Sequence, residues 1–467
     1  MGAIAKHLAT TWISRVEARE ILILAAPMTG TALVNMGMSI TDTVMMGWLG
    51  TQSLAAGAVV SDLYSIVFYF MSGILATVAA IMAQAMGRKN RRGVHDAIRN
   101  GFHVTAILSV PAFLIVWNMD LVLMAFGIEG AVIALGSEYA HMMAFTAVAM
   151  LGVAVWRNVL SAFSRPRVFL VMVIVALPAN GLLNYVLMFG PFGLPEMGLA
   201  GAGLSSALVA AAMLVGFVIY AHRDDVIFGY YPFYRIWRVD LGGIAEILRI
   251  GVPSGLTTLG NVGIYLVSTP IISLFGTEAL AAHAIALRLA GVFYAIPVGL
   301  SQAATVRTGY AAGRSDGAAI NVVKRTAIAL ATVSGVACLG VLAAFAGFLP
   351  DLFLPEGTET SQGLAATLIV ILGFSIAAEN PNVVAGGILR GLKDTRVPML
   401  LTLAGYWGIG APVMGLVASG TGLGAEGVWL GLSVGVYATA IFMLGRLFAS
   451  EVKSFYARPA ALAVSAR

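Results

Sequence analysis

The chain has 467 residues, of which 10% are charged and 59% hydrophobic, and its mean hydropathy is +0.92. A soluble protein of that length needs roughly a quarter of its residues charged to cover its surface, so a soluble fold is excluded and lipid must cover much of the chain. The one cysteine, Cys338, excludes an internal disulfide framework and reads as a small buried hydrophobe.

A helix needs about 20 apolar residues to cross a hydrocarbon core about 30 Å thick. That length predicts twelve spans. The first six are 20–47, 52–84, 98–118, 132–156, 168–190 and 198–221; the second six are 244–274, 280–308, 322–348, 362–389, 396–419 and 425–448. The first apolar stretch follows a mixed segment containing Lys6, Arg15 and Arg19 and is too long for a signal-peptide core, so it reads as a span. The organisation expected is a cytoplasmic segment 1–19, a first lobe 20–221, a cytoplasmic linker 222–243, a second lobe 244–448 and a cytoplasmic tail 449–467.

Basic residues gather on alternate connections, as the positive-inside rule requires. One side carries Arg88, Lys89, Arg91, Arg92, Arg165, Arg167, Arg223, Arg235 and Arg238 in the first half. It then carries Arg314, Lys324, Arg325, Arg390, Lys393 and Arg396, and finally Arg446, Lys453, Arg458 and Arg467 in the tail. The six opposite loops hold no Lys or Arg but do hold Asp120, Glu196, Asp351 and Glu356. An odd number of missed spans would scramble this pattern. The reading is a multi-pass protein of a bacterial inner membrane with both ends cytoplasmic.

Sliding the chain by 226 residues lays 20–90 on 246–316 without a gap. LGTQSLAAGA at 49–58 falls on FGTEALAAHA at 275–284, Pro27 on Pro253, and Gly87-Arg88 on Gly313-Arg314. The register returns where Gly198, Gly201 and Leu204 fall on Gly424, Gly427 and Leu430. The expected fold is therefore an all-α membrane protein of two pseudosymmetric six-helix lobes, a parallel repeat of the kind used by secondary transporters.

Four stretches carry a family resemblance: TDTVMMGWLGTQSLAAGAV (41–59), PANGLLNYVLMFG (178–190), GLAGAGLSSA (198–207) and LRGLKDTRVPML (389–400). In order and spacing they resemble the multidrug and toxic compound extrusion (MATE) transporters over nearly the whole chain. The resemblance implies a V-shaped pair of lobes that exports organic compounds, often cationic, in exchange for protons or sodium ions by alternating access.

Ionisable side chains inside spans are functional candidates because each is costly there. Asp42 lies about six residues, hence about 9 Å, from the outer end of the first span. Asn180 and Asn184 stand one turn apart on one face of the fifth span at the same depth. An aspartate beside two carboxamides can hold sodium, or a proton released when the site hydrates. The resemblance implies a cation or proton site here and adds a sixth-span hydroxyl, matched by Ser206. Glu379 sits mid-span, two residues before Pro381, which withdraws a backbone donor and loosens the helix; it matches an acidic coupling position of the second lobe. The family's seventh-span acid aligns with neutral Asn261. Together with Asn184, this favours protons over sodium.

Asp62 and Arg288 are related by the same shift. They form either a latch between lobes or separate pairs within each lobe. Glu138 lies nearer an outer end, while His103, His141 and His283 read as hydrogen-bonded packing residues without metal spacing. Met36, Met38, Met45 and Met46, with Phe68, Tyr69, Phe70, Tyr265 and Tyr294, are candidates for either an adaptable lining or core. Arg288 reads as the only basic residue well inside a span, which argues against an anionic headgroup and hence against a lipid-linked sugar flippase. An exporter of one dedicated metabolite, such as a siderophore, stays open.

No Gly-Lys dipeptide occurs, so there is no phosphate-binding loop for ATP-driven transport, and no nucleophile–base or metal cluster marks an enzyme. The implied partners are a small-molecule substrate and membrane lipid, not nucleic acid. The chain is expected to work as a monomer, with no cofactor beyond the coupling ion.

Overall fold

The structure is a computed structural model that describes residues 13–125, 127, 129–353, 359–420 and 422–449. Residues 1–12 and 450–467, most of the two expected cytoplasmic ends, lie outside it, as do Lys6, Glu356, Lys453, Arg458 and Arg467. The described elements are helical throughout, and twelve helices are long and apolar enough to cross a membrane. We number them α1 (Arg15–Trp48), α2 (Thr51–Gly87), α3 (Arg91–Trp117), α4 (Gly130–Ala162), α5 (Pro166–Phe189) and α6 (Gly198–Arg223). The second six are α7 (Leu241–Ser273), α8 (Thr277–Gly313), α9 (Gly317–Phe345), α10 (Ser361–Gly391), α11 (Arg396–Gly420) and α12 (Gly424–Phe448). Helix is the form an open chain must take in hydrocarbon, where each N–H and C=O has to be satisfied within its own segment. Several helices run beyond the predicted spans because polar turns extend them at one end: α1 begins at Arg15 rather than 20 and α4 ends at Ala162 rather than 156.

The repeat extends to the backbone. Gly50 and Gly276, related by the 226-residue shift, both have positive φ (115° and 99°), as do Gly198 and Gly424 (53° and 54°). Lys89 and Ser315 take left-handed φ of 56° and 55° at the ends of α2 and α8. In each case the next residue caps the following helix: Asn90 Oδ1 accepts from Gly93 N at 3.0 Å, and Asp316 Oδ1 from Ala319 N at 2.9 Å. Capping by a short polar side chain satisfies an N–H that the helix itself cannot. The same turn is thus built twice from different residues.

The chain divides into two compact units, Gly30–Met82 with Asn90–Gly255, and Met1–Thr29 with Ala83–Lys89 and Leu256–Arg467. In the first, α4 packs on α2, α3 and α6; in the second, its repeat equivalent α10 packs on α8, α9 and α12. The opening turns of α1 belong with the second unit, where Ile21, Leu24 and Ala25 enter a core with Leu300, Ala303 and Ala304. Glu17 clamps that end by accepting from Arg307 Nε and Nη2 at 2.7 and 2.6 Å. The end of α2 joins the same unit through repeat-equivalent glycines. A Cβ on Gly87 would stand 3.0 Å from Gly313 Cα and collide with the Tyr310 carbonyl, so only glycine permits this crossing.

Candidate functional site

In the first unit, Asn184 Nδ2 donates to Asp42 Oδ1 at 2.6 Å and to Asn180 Oδ1 at 3.3 Å. Asp42 is partly buried, and both asparagines are fully buried. The one-turn spacing on α5 aims both carboxamides at α1, so the geometry brings together the three residues singled out from sequence. Asn184 Oδ1 and Asn180 Nδ2 remain without hydrogen-bond partners, leaving one acceptor and one donor for a ligand, water or proton carrier. On α6 the hydroxyl in hydrogen-bond contact with α5 is that of Ser205, the neighbour of the expected Ser206. Ser205 Oγ donates to the Asn180 carbonyl at 3.2 Å. Ser206, one residue on, points about 100° further round the helix. Tyr139 on α4 lies within electrostatic reach of Asp42, and its hydroxyl meets Ser61 Oγ at 3.2 Å.

In the second unit, the Tyr406 hydroxyl donates to Glu379 Oε2 in a short hydrogen bond and accepts from Asn382 Nδ2 at 3.3 Å. Glu379, Asn380, Asn382 and Tyr406 are all buried. Asn380 Nδ2 reaches across to Ser334 Oγ on α9 at 3.0 Å. Glu379 Oε1 and Asn382 Oδ1 have no partner, nor does Asn261 Oδ1 on α7. Burying a carboxyl with one oxygen unsatisfied is expensive, and a proton on that oxygen relieves the cost. Sequence reading missed Tyr406. It lies in a π-helical stretch, Leu403–Gly410, a form that usually marks functional positions. The available signal was the glycine-rich run LAGYWGIG. Its glycines let α11 lie directly on α12: a Cβ on Gly435 would come 2.9 Å from Gly410 Cα.

The remaining candidates scatter. Asp62 and Arg288 are each exposed in their own units, and Glu138 is exposed on α4. His283 is buried, with Trp429 Nε1 donating to its Nδ1 at 3.1 Å and Thr269 Oγ1 at 3.1 Å from its Nε2. His103 Nε2 donates to the Ile236 carbonyl at 2.6 Å, and His141 stacks on Trp117 at 4.3 Å. Among the described residues no three His, Cys, Asp or Glu side chains converge as a metal site. Met45 and Met46 are core residues, whereas Met36 and Met38 keep partial exposure.

One basic side chain that the span boundaries left out falls within a long apolar helix. Arg157 lies in α4, five residues before its end at Ala162, because that helix continues past the predicted boundary at 156.

A twelve-span, twice-repeated helical fold with a carboxyl set among neutral polar partners in each unit defines a membrane transporter rather than an enzyme. The MatE family model matches residues 27–186 and again 253–415, and the two matches begin at Pro27 and Pro253, the pair that the repeat superimposes. The chain belongs to this family. It is 36% identical over 441 residues, 93% of this chain and 94% of the relative, to a probable multidrug resistance protein NorM of Agrobacterium fabrum. A NorM protein of Rhizobium meliloti is 35% identical over 92% of this chain and 93% of its own. Among solved structures, a MATE protein crystallised in complex with MaL6 superimposes with a TM-score of 0.85 at 20% identity, covering 94% of this chain and 97% of that one.

Proposed function

We propose that this protein is a secondary active antiporter that exports organic compounds, many of them cationic drugs, across the bacterial inner membrane in exchange for protons. Both termini lie in the cytoplasm in this reading, and transport proceeds by alternating access. The observation that carries it is the pair of carboxyls inside the two units, Asp42 partly buried and Glu379 fully, each held by a neutral hydrogen-bond donor. The names of the NorM relatives support the drug-export side. A carboxyl so placed is charged only when water or a cationic substrate attends it, so proton and substrate compete for it. Asn184 turns its NH2 group, not its oxygen, to Asp42, which suits a carboxyl alternating between proton and substrate better than a sodium cage of oxygens. Asp42, Asn180, Asn184 and Glu379 carry the coupling, with Ser205 fixing the α5 backbone beside Asn180. The chain acts alone, with lipid around it and no cofactor.

The test is efflux of ethidium from cells lacking their main pumps. Wild type is compared with Asp42→Asn and Glu379→Gln, each with and without a protonophore. Export that both substitutions and the protonophore abolish is the expected result. Export unaffected by either substitution in well-expressed protein rejects the assignment of these acids. No export by wild type rejects the drug-export reading.

A further inference from the structure

Arg157 stands out among the titratable groups left over by the coupling sites. A guanidinium stays charged at any physiological pH, and an arginine inside a span is costly unless something answers its charge. In this structure Arg157 Nη2 donates to the neutral Ser72 Oγ at 3.0 Å. Its Nε is buried without a partner, and among the described residues no carboxylate forms an ion pair with it. The side chain as a whole is only partly buried. It does not project from a loosely held helix: α4 is the most enclosed of the first six spans.

The surroundings are polar in a patterned way. On α2, Ser61, Ser65, Tyr69 and Ser72 follow at helical spacing along one face. On α4, Tyr139 and Arg157 stand 18 residues apart, which is about five full turns, so both point the same way from positions about 27 Å apart. Tyr139 meets Ser61 at one end of the stripe, and Arg157 meets Ser72 at the other. Tyr69, whose hydroxyl lies within electrostatic reach of Arg157, is 44% exposed. The stripe therefore has an acid-bearing end, near Asp42, and a basic end with an uncompensated charge.

We propose that Arg157 is an oxyanion subsite, whose guanidinium takes a carboxylate or phosphate group carried by the transported compound or by a lipid. Resting on the exporter reading above, this gives the first unit a basic group to receive the anionic part of a substrate. A guanidinium suits the task because its N–H fork matches the two oxygens of such a group. Ser72 holds one arm of that fork.

The experiment measures binding of two dyes that differ only in this group: rhodamine B, which carries a free carboxylate, and its ethyl ester. Fluorescence polarisation on the purified full chain in phosphatidylcholine nanodiscs gives both affinities. Wild type is expected to favour the acid. Arg157→Gln is expected to weaken the acid about tenfold, the size of one charge-assisted hydrogen bond, and to leave the ester within about twofold. Arg157→Lys keeps the charge and should retain part of the preference. Adding phosphatidylglycerol separates the two sources of oxyanion: a preference that disappears assigns the guanidinium to lipid phosphate, and one that persists assigns it to the substrate. Equal weakening of both dyes, or of neither, overturns the proposal while leaving the exporter reading intact. Should neither variant fold, equal affinity of wild type for acid and ester overturns it. Failure of wild type to bind either dye counts against the exporter reading itself.

Discussion

Replacing Tyr406 by phenylalanine removes one oxygen from the second unit without changing the shape of the side chain. That oxygen donates to Glu379 Oε2 and also accepts from Asn382 Nδ2. Glu379 Oε1 already lacks a partner, so the ionised carboxylate in Tyr406→Phe would face the protein with no donor from α11. A hydrogen bond to a charged group contributes about 1.5–3 kcal/mol. The ionised state therefore rises by that amount relative to the protonated state, which keeps a proton of its own to donate. Each 1.4 kcal/mol is a factor of ten, so turnover through an ionised Glu379 should fall about ten- to a hundredfold. The assay is substrate exchange by purified protein in liposomes, with Glu379→Gln measured alone and combined with Tyr406→Phe. In the glutamine background, with no charge to stabilise, the phenylalanine should cost less than about twofold. Wild-type turnover in Tyr406→Phe, or the same loss in both backgrounds, would refute the role given to this hydroxyl.

Two further outcomes concern the scaffold. Asp224, beyond the end of α6, is buried, which by itself disfavours its charge. The Tyr220 hydroxyl, the Ile227 and Val226 N–H groups and Arg165 at 2.7 Å outweigh that and hold its pKa below the ordinary carboxylate range. A depressed pKa contributes stability above the unfolded value of about 3.9, and that stability is lost as pH falls through the folded value. Asp224→Ala should therefore lower thermal stability in detergent at neutral pH by about 1 kcal/mol, typical of a lost helix cap. The gap should close in acid below the carboxylate range, and a gap that persists there would contradict the assignment. On α12, Gly435→Ala sets a methyl 2.9 Å from Gly410 Cα and should cost about 1–3 kcal/mol of stability. It should also lower turnover by shifting the π-helical stretch that carries Tyr406; a variant as stable and active as wild type would show that α11 and α12 have slack.

Much of this was legible in the sequence because lipid is an unforgiving solvent. Twelve apolar runs mark the twelve long helices, since hydrocarbon admits only segments that satisfy their own backbone. Asp42, Asn180, Asn184 and Glu379 were visible for the same reason: polar groups in spans are costly, and a one-turn spacing tells which of them share a face. The choice between Ser205 and Ser206 was not visible, because two adjacent hydroxyls look alike until the roll of α6 is fixed by packing. Tyr406 was hidden because a tyrosine in an apolar run reads as packing, and nothing in the sequence signals a change from α to π hydrogen bonding. Arg157 went unremarked because it falls one residue beyond the span drawn to 156, in a helix that continues to Ala162. The exchange of the opening turns of α1 into the second unit has no local signature either, since it depends on the Glu17–Arg307 pair and on glycines meeting far along the chain.

The central claim is that a proton, exchanged at Asp42 and Glu379, drives the export. Purified protein in sodium-free liposomes under an imposed pH gradient tests it most directly, with ethidium movement as the readout. The account predicts movement driven by the pH gradient alone and abolished by Asp42→Asn and by Glu379→Gln. A sodium gradient at equal pH should drive none. Movement driven by sodium alone, or a pH-driven movement that survives both substitutions, would contradict it.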